Sequence, residues 1–210
     1  NVPAGTYLIA ELSQPGWVLD TASCSNGSEP TALLLSDGET VTCTFVNIKD
    51  GEIVVDKNTL PAASPQSFQF NLKGVGVDQS FSLTDAATPH LSGFLAPGTF
   101  SVTEIPVDGW ELTDVTCTGQ PSCDVEDPAA IDLSPGEVVT CDFTNTQDGS
   151  IEVVKSLSAT GPASEIFSFT SNFNGDFDLV GDAATTGAIA VTPGTGYNVS
   201  ENDPSASGWV

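Results

Sequence analysis

The chain repeats itself, and the period limits the folds open to it more than any other feature. Gly51-Glu52-Ile53-Val54-Val55-Asp56-Lys57 returns as Gly149-Ser150-Ile151-Glu152-Val153-Val154-Lys155. Val41-Thr42-Cys43-Thr44-Phe45-Val46-Asn47 returns as Val139-Thr140-Cys141-Asp142-Phe143-Thr144-Asn145. Both pairs are offset by 98 residues. A third block occurs three times: Gly5-Thr6-Tyr7 to Trp17, Gly98-Thr99-Phe100 to Trp110, and Gly196-Tyr197 to Trp209. It sets Glu11, Glu104 and Glu201 four residues after its aromatic. Such a period denotes tandem units rather than one domain. The expected divisions are residues 1–48, the back part of one unit; 49–147, a complete unit; and 148–210, the front part of a third. The chain is therefore expected to be a piece of a longer array. The short junctions Ile48–Gly51 and Thr146–Gly149 predict a semi-rigid rod.

Short apolar-alternating runs dominate the local pattern. Ser67–Leu72, Ser80–Leu83 and Phe100–Ile105 alternate with period two, as half-buried strands do. Asp37-Gly38, Asp50-Gly51, Pro97-Gly98, Asp108-Gly109 and Pro135-Gly136 punctuate them as turns. No stretch of helical length carries a helical period. Strands spaced about ten residues apart predict an all-β fold of small β-sandwiches. Trp17, Trp110 and Trp209 are expected to pack in the core or at unit ends.

Charge narrows the partners. Twenty-eight acidic residues face four lysines, for a net charge of −24. This excludes nucleic acid and an anionic membrane surface, and it suits a solvated extracellular face or cation binding. No apolar run reaches the length that spans a bilayer, so no membrane insertion is expected in this segment.

Five cysteines sit at positions set by the repeat. Cys24 and Cys117 each follow a tryptophan by seven residues, and Cys43 and Cys141 each precede a phenylalanine by two. The expected disulfides are Cys24–Cys43 and Cys117–Cys141. Cys123 has no counterpart, and it is either free or competes for Cys117. Disulfides favour an exported, extracellular or cell-surface protein.

Lysine is scarce, yet two of the four occupy the same repeat position. Alternation puts Ile53, Val55 and Lys57 on one face of a first strand. If the first two face the core, Lys57 does too, and a buried ammonium must find a partner or lose its proton. Phe143 and Asn145 share a face of the last strand, and Glu104 shares one with Phe100 and Val102. If these three faces are inner faces of one sandwich, lysine, acid and amide can meet there.

The pattern G-x-[IV]-x-V-x-K, then [FY]-x-V-x-E followed by proline and Gly-Trp, then VTC-x-F-x-N, resembles the collagen-adhesin B-type (CnaB) and SpaA-type domains of bacterial surface proteins and pilins. The resemblance implies tandem prealbumin-like (Ig-like) sandwiches in a rod-like array. It implies a self-formed Lys–Asn isopeptide assisted by an acid: Lys57, Asn145 and Glu104 in the middle unit. It implies Lys155 and Glu201 in the third, with the amide outside the sequence. In the first it implies Asn47 and Glu11, with the lysine outside the sequence. The expected role is a stalk, fibre or adhesin shaft, with neighbouring units, like copies in a filament, or a surface ligand as partners. No enzyme activity beyond the single self-cross-linking turnover is expected.

Two other readings compete with it. One is a calcium- or glycan-binding adhesin module. The other is a laterally packed filament or sheath. No cofactor is required; calcium is the one candidate, through the alternating Asn172, Asn174, Asp176 and Asp178, which lack EF-hand spacing and also read as the polar face of a strand. His90 is the sole histidine, so a histidine-based metal site or triad is not expected.

Overall fold

A computed structural model describes residues 2–121, 124–158 and 164–202. Cys123 and Trp209 lie outside them. The fold is all-β, with one 3-10 turn at Pro30–Ala32 as its helical part among the described residues. The first 48 residues and their junction give β1 (Gly5–Tyr7), β2 (Trp17–Cys24), β3 (Leu33–Leu35) and β4 (Cys43–Lys49). The middle of the chain gives β5 (Glu52–Leu60), β6 (Phe68–Gly74), β7 (Val77–Leu83), β8 (His90–Leu91), β9 (Gly98–Glu104), β10 (Trp110–Gln120), β11 (Val125–Glu126), β12 (Ile131–Leu133) and β13 (Val138–Gln147). The last part gives β14 (Gly149–Ile151), β15 (Ile166–Ser171), β16 (Phe177–Val180), β17 (Ile189–Val191) and β18 (Val199–Glu201).

The middle strands form two sheets. One has the order β11-β10-β13-β5-β8 and the other β12-β9-β6-β7. Their inner faces are the residues that alternation puts there: Ile53 and Val55 on β5, Cys141 and Phe143 on β13, and Phe68, Phe70 and Leu72 on β6, all buried. Phe70 meets Phe143 edge-on across the interior at 5.2 Å. The first strand β5 and the last strand β13 are neighbours in one sheet. Residues far apart in sequence therefore become adjacent in the fold.

Glycine at the start of the repeat has a steric cause. Gly51 exchanges backbone hydrogen bonds with Leu95, donating at 2.8 Å and accepting at 3.0 Å. A Cβ there would lie 2.8 Å from the Glu137 carbonyl oxygen and from Leu133 Cγ. At the equivalent Gly149 a Cβ would meet only Val191 Cγ2, at 3.7 Å.

The chain separates into two compact units. One holds the described residues of 1–58, 62–105 and 114–144; the other holds 59–61, 106–113 and the described residues from 145 on. Within the first, β1 pairs with β3 and β2 with β4, each as a two-stranded sheet. Trp17 opens β2 opposite Lys49 and is 47% exposed, so it is not a core residue. Within the second, Phe167, Phe169 and Leu179 make a small core beneath Val153, Leu157 and Phe177. No helix among the described residues is long and apolar enough to cross a membrane.

Candidate cross-linking site

Lys57 sits where alternation predicts. Ile53, Val55 and Lys57 all face inward on β5, and the Lys57 side chain is 0% exposed. Its Nζ donates to the Asn58 carbonyl at 2.6 Å and to the Phe143 carbonyl at 3.2 Å. It lies 3.9 Å from Glu104 Oε2, a long ion pair whose acid is 2% exposed. The Phe68 ring lies beneath it, with the centroid 4.2 Å from Nζ. Asn145 follows Phe143 by two residues on β13 and is buried as well.

Electrostatics favour an unusual lysine. Burial lowers the Lys57 pKa from its ordinary value, and the nearby Glu104 and Asp85 carboxylates partly oppose that shift. Desolvation is the larger effect, so the neutral amine is more accessible here than on a surface. A neutral amine beside a carboxyl group is a nucleophile with an acid at hand.

Phe68 belongs to this site, although sequence reading left it as an ordinary strand residue. The signal was present: Phe68-Gln69-Phe70 returns as Phe167-Ser168-Phe169. Lys155 Nζ stands over Phe167 at 4.1 Å, matching the middle arrangement. Lys155 also pairs with Glu201 at 2.8 Å, with the side chains 16% and 30% exposed. In the first repeat the Asn47 Nδ2 donates to Glu11 Oε1 at 2.7 Å. The acid thus meets the lysine in the third repeat and the amide in the first.

Both expected disulfides are present, Cys24–Cys43 and Cys117–Cys141, each with a Cα–Cα distance of 4.0 Å. They join neighbouring strands of one sheet, β2 to β4 and β10 to β13. The calcium candidates hold the end of the β15–β16 hairpin. Asn172 donates to the Gly196 carbonyl and accepts from the Asn198 amide, the Asn174 amide donates to Ser171 Oγ, and Asp178 accepts from Ser168. Asp176 immediately precedes β16. Among the described residues, no three histidine, cysteine or acidic side chains gather as metal ligands do.

Two facing sheets around a buried lysine and acid define the class of domain. Residues 53–147 match the SpaA-type family described as a prealbumin-like fold domain, and this segment is a domain of that family. Among solved structures, the major pilin protein T-13 of Streptococcus pyogenes is 16% identical over 69% of this chain and 68% of its own, with a TM-score of 0.38. Another major pilin of Streptococcus pyogenes is 16% identical over 69% of this chain and 70% of its own, with a TM-score of 0.34. The Bacillus anthracis TIE protein is 19% identical over 85% of this chain and 33% of its own, with a TM-score of 0.41. No curated protein matches the chain. The family match, and not these distant likenesses, places the segment.

Proposed function

We propose that the chain is a length of an extracellular structural protein, the shaft of a fibre or surface adhesin, built from tandem units at 1–48, 49–147 and 148–210. A Lys57–Asn145 isopeptide locks the middle unit. The observation that carries this is the buried Lys57 beside Glu104 on a first strand that neighbours the last strand, where Asn145 is also buried. The two disulfides support an oxidising, extracellular setting.

The reaction balances simply. The neutral Lys57 amine attacks the Asn145 side-chain carbonyl carbon. Glu104, protonated, hydrogen-bonds the carbonyl oxygen and helps move protons toward the departing nitrogen. The C–N bond of the primary amide breaks, ammonia leaves, and a secondary amide joins the strands. The event happens once per unit, so it is maturation and not turnover. The closed loop of about 88 residues would contribute about 4 to 5 kcal/mol by the chain-entropy model for cross-links. Pulling on the ends of the unit then loads a covalent bond before the strand hydrogen bonds.

Intact mass of the full chain, reduced and denatured, tests this. A deficit of about 17 Da marks the loss of ammonia, and a cross-linked peptide must contain Lys57 and Asn145. Lys57→Met, Asn145→Ala and Glu104→Ala should each abolish it. A full mass in the parent chain would leave the disulfides as the only covalent clamps and sink the proposed chemistry.

A further inference from the structure

The stretch from Lys49 to Glu52 crosses from the first repeat to the middle one, and each of its residues is tied. The Lys49 carbonyl accepts from the Gly136 amide at 3.0 Å, and the Asp50 amide donates to the Gly16 carbonyl at 2.9 Å. Gly51 exchanges its hydrogen bonds with Leu95, and the Glu52 amide donates to the Glu137 carbonyl at 2.9 Å. One tie reaches back to the first repeat and the others reach into the middle sandwich, all within one compact unit. Linked domains move relative to one another by default, and these ties oppose that motion.

Two features of the middle sandwich meet this junction. The first is the turn Ser134–Glu137 between β12 and β13. Its own residues close it: the Ser134 amide donates to Glu137 Oε2 at 2.9 Å, and the Glu137 amide donates to the Ser134 carbonyl at 3.1 Å. Ser36 and Glu39 close the same turn in the first repeat, so its shape does not depend on what rests upon it. In the middle repeat Glu137 is buried, and the Lys49 side chain lies against Gly136, where a Cβ would come 3.0 Å from Lys49 Cδ. The second feature is Phe94. A Cβ on Gly16 would lie 3.2 Å from Phe94 Cε1, so the ring sits over the turn that opens β2. Gly16 has a φ of +76°, a backbone that favours glycine, and its bare α-carbon leaves room for the ring. The ring remains 67% exposed, so it covers that turn and is not part of the sandwich core.

The next junction separates the general from the particular. The Asp148 amide donates to the Gly109 carbonyl at 2.9 Å, as Asp50 does to Gly16. Gly149 pairs with Val191 as Gly51 does with Leu95, which puts Ala190 where Phe94 stands. Among the described residues, nothing lies within 4 Å of a Cβ built on Gly109. The backbone tie recurs; the ring does not.

We propose that Phe94 and the Ser134–Glu137 turn form a seat for the preceding repeat, and that the ring over Gly16 fixes the angle between the two. The inference rests on the tandem-unit reading and is independent of the Lys57 chemistry. Residual dipolar couplings of the full chain in a weakly aligning medium test it. One alignment tensor should fit the amides of residues 5–48 and of the middle sandwich together. Phe94→Ala should break that fit: each segment keeps its own pattern of couplings, but the alignment of 5–48 weakens against that of the sandwich. Phe94→Tyr, which keeps the ring, should retain the single fit. Two unequal tensors in the parent chain overturn the seat, and a single tensor in Phe94→Ala overturns the role of the ring. Couplings averaged to near zero across 5–48 of the parent chain overturn the seat together with the tandem-unit reading. A single tensor in a chain of full mass upholds the seat and sinks the Lys57–Asn145 link alone.

Discussion

Lys57 is a buried cation in the middle sandwich, and its burial sets how it titrates. Its folded-state pKa lies below the ordinary value of 10.5, because burial outweighs the neighbouring carboxylates. Between those two values the unfolded chain binds more protons than the folded one. Stability that depends on this group therefore rises with pH through that window and is reduced below it. The effect is visible only where Lys57 remains an amine. In Asn145→Ala, the melting temperature should climb as pH rises from neutral toward 10.5. Adding Lys57→Met should flatten that slope, and thermal melts followed by circular dichroism across the range would measure it. The inward direction of Lys57 was legible because Ile53 and Val55 flank it at period two. Its aromatic floor was signalled only by the return of Phe68-Gln69-Phe70 as Phe167-Ser168-Phe169, and a repeated phenylalanine does not by itself say which lysine it faces. Trp17 was expected in the core or at a unit end; it is half in solvent and opens its strand opposite Lys49, so the core alternative is the one that fails.

At the level of the strand, sterics across the sheet decide which substitutions are tolerated. Gly74 pairs with Phe100 between β6 and β9. A Cβ at Gly74 would fall 2.1 Å from Phe100 Cδ1, because the ring lies across the glycine. Gly74→Ala should destabilise the sandwich by about 1–3 kcal/mol, the range for overpacking a filled interior. Urea unfolding would read this as a lower midpoint, and Phe100→Leu in the same chain should recover part of it. The Cys117–Cys141 bridge spans 24 residues and should contribute about 3 kcal/mol by loop entropy. Replacing both cysteines with alanine tests that figure in the same assay. The long strands β6, β7 and β9 were legible because alternation runs through most of their length. The two-residue strands β8 and β11 were not, because two residues cannot display a period. That β13 lies beside β5 also could not be read from local pattern, being a property of the closed sheet; the family resemblance supplied it.

Over the whole molecule, a charge of −24 works against any association of like copies. The scarcity of cations has another result. Proteases of the trypsin type cut after lysine or arginine, and this chain offers them Lys49, Lys57, Lys73 and Lys155 alone. Lys57 is sealed inside the sandwich, and Lys49 lies in a strand registered against Trp17. Lys73 is open to solvent near the β6–β7 turn. Brief digestion of the folded chain should therefore nick first after Lys73, and the fragments should stay together until the sheets themselves come apart. A lysine folded away from water is, by the same arrangement, hidden from digestion.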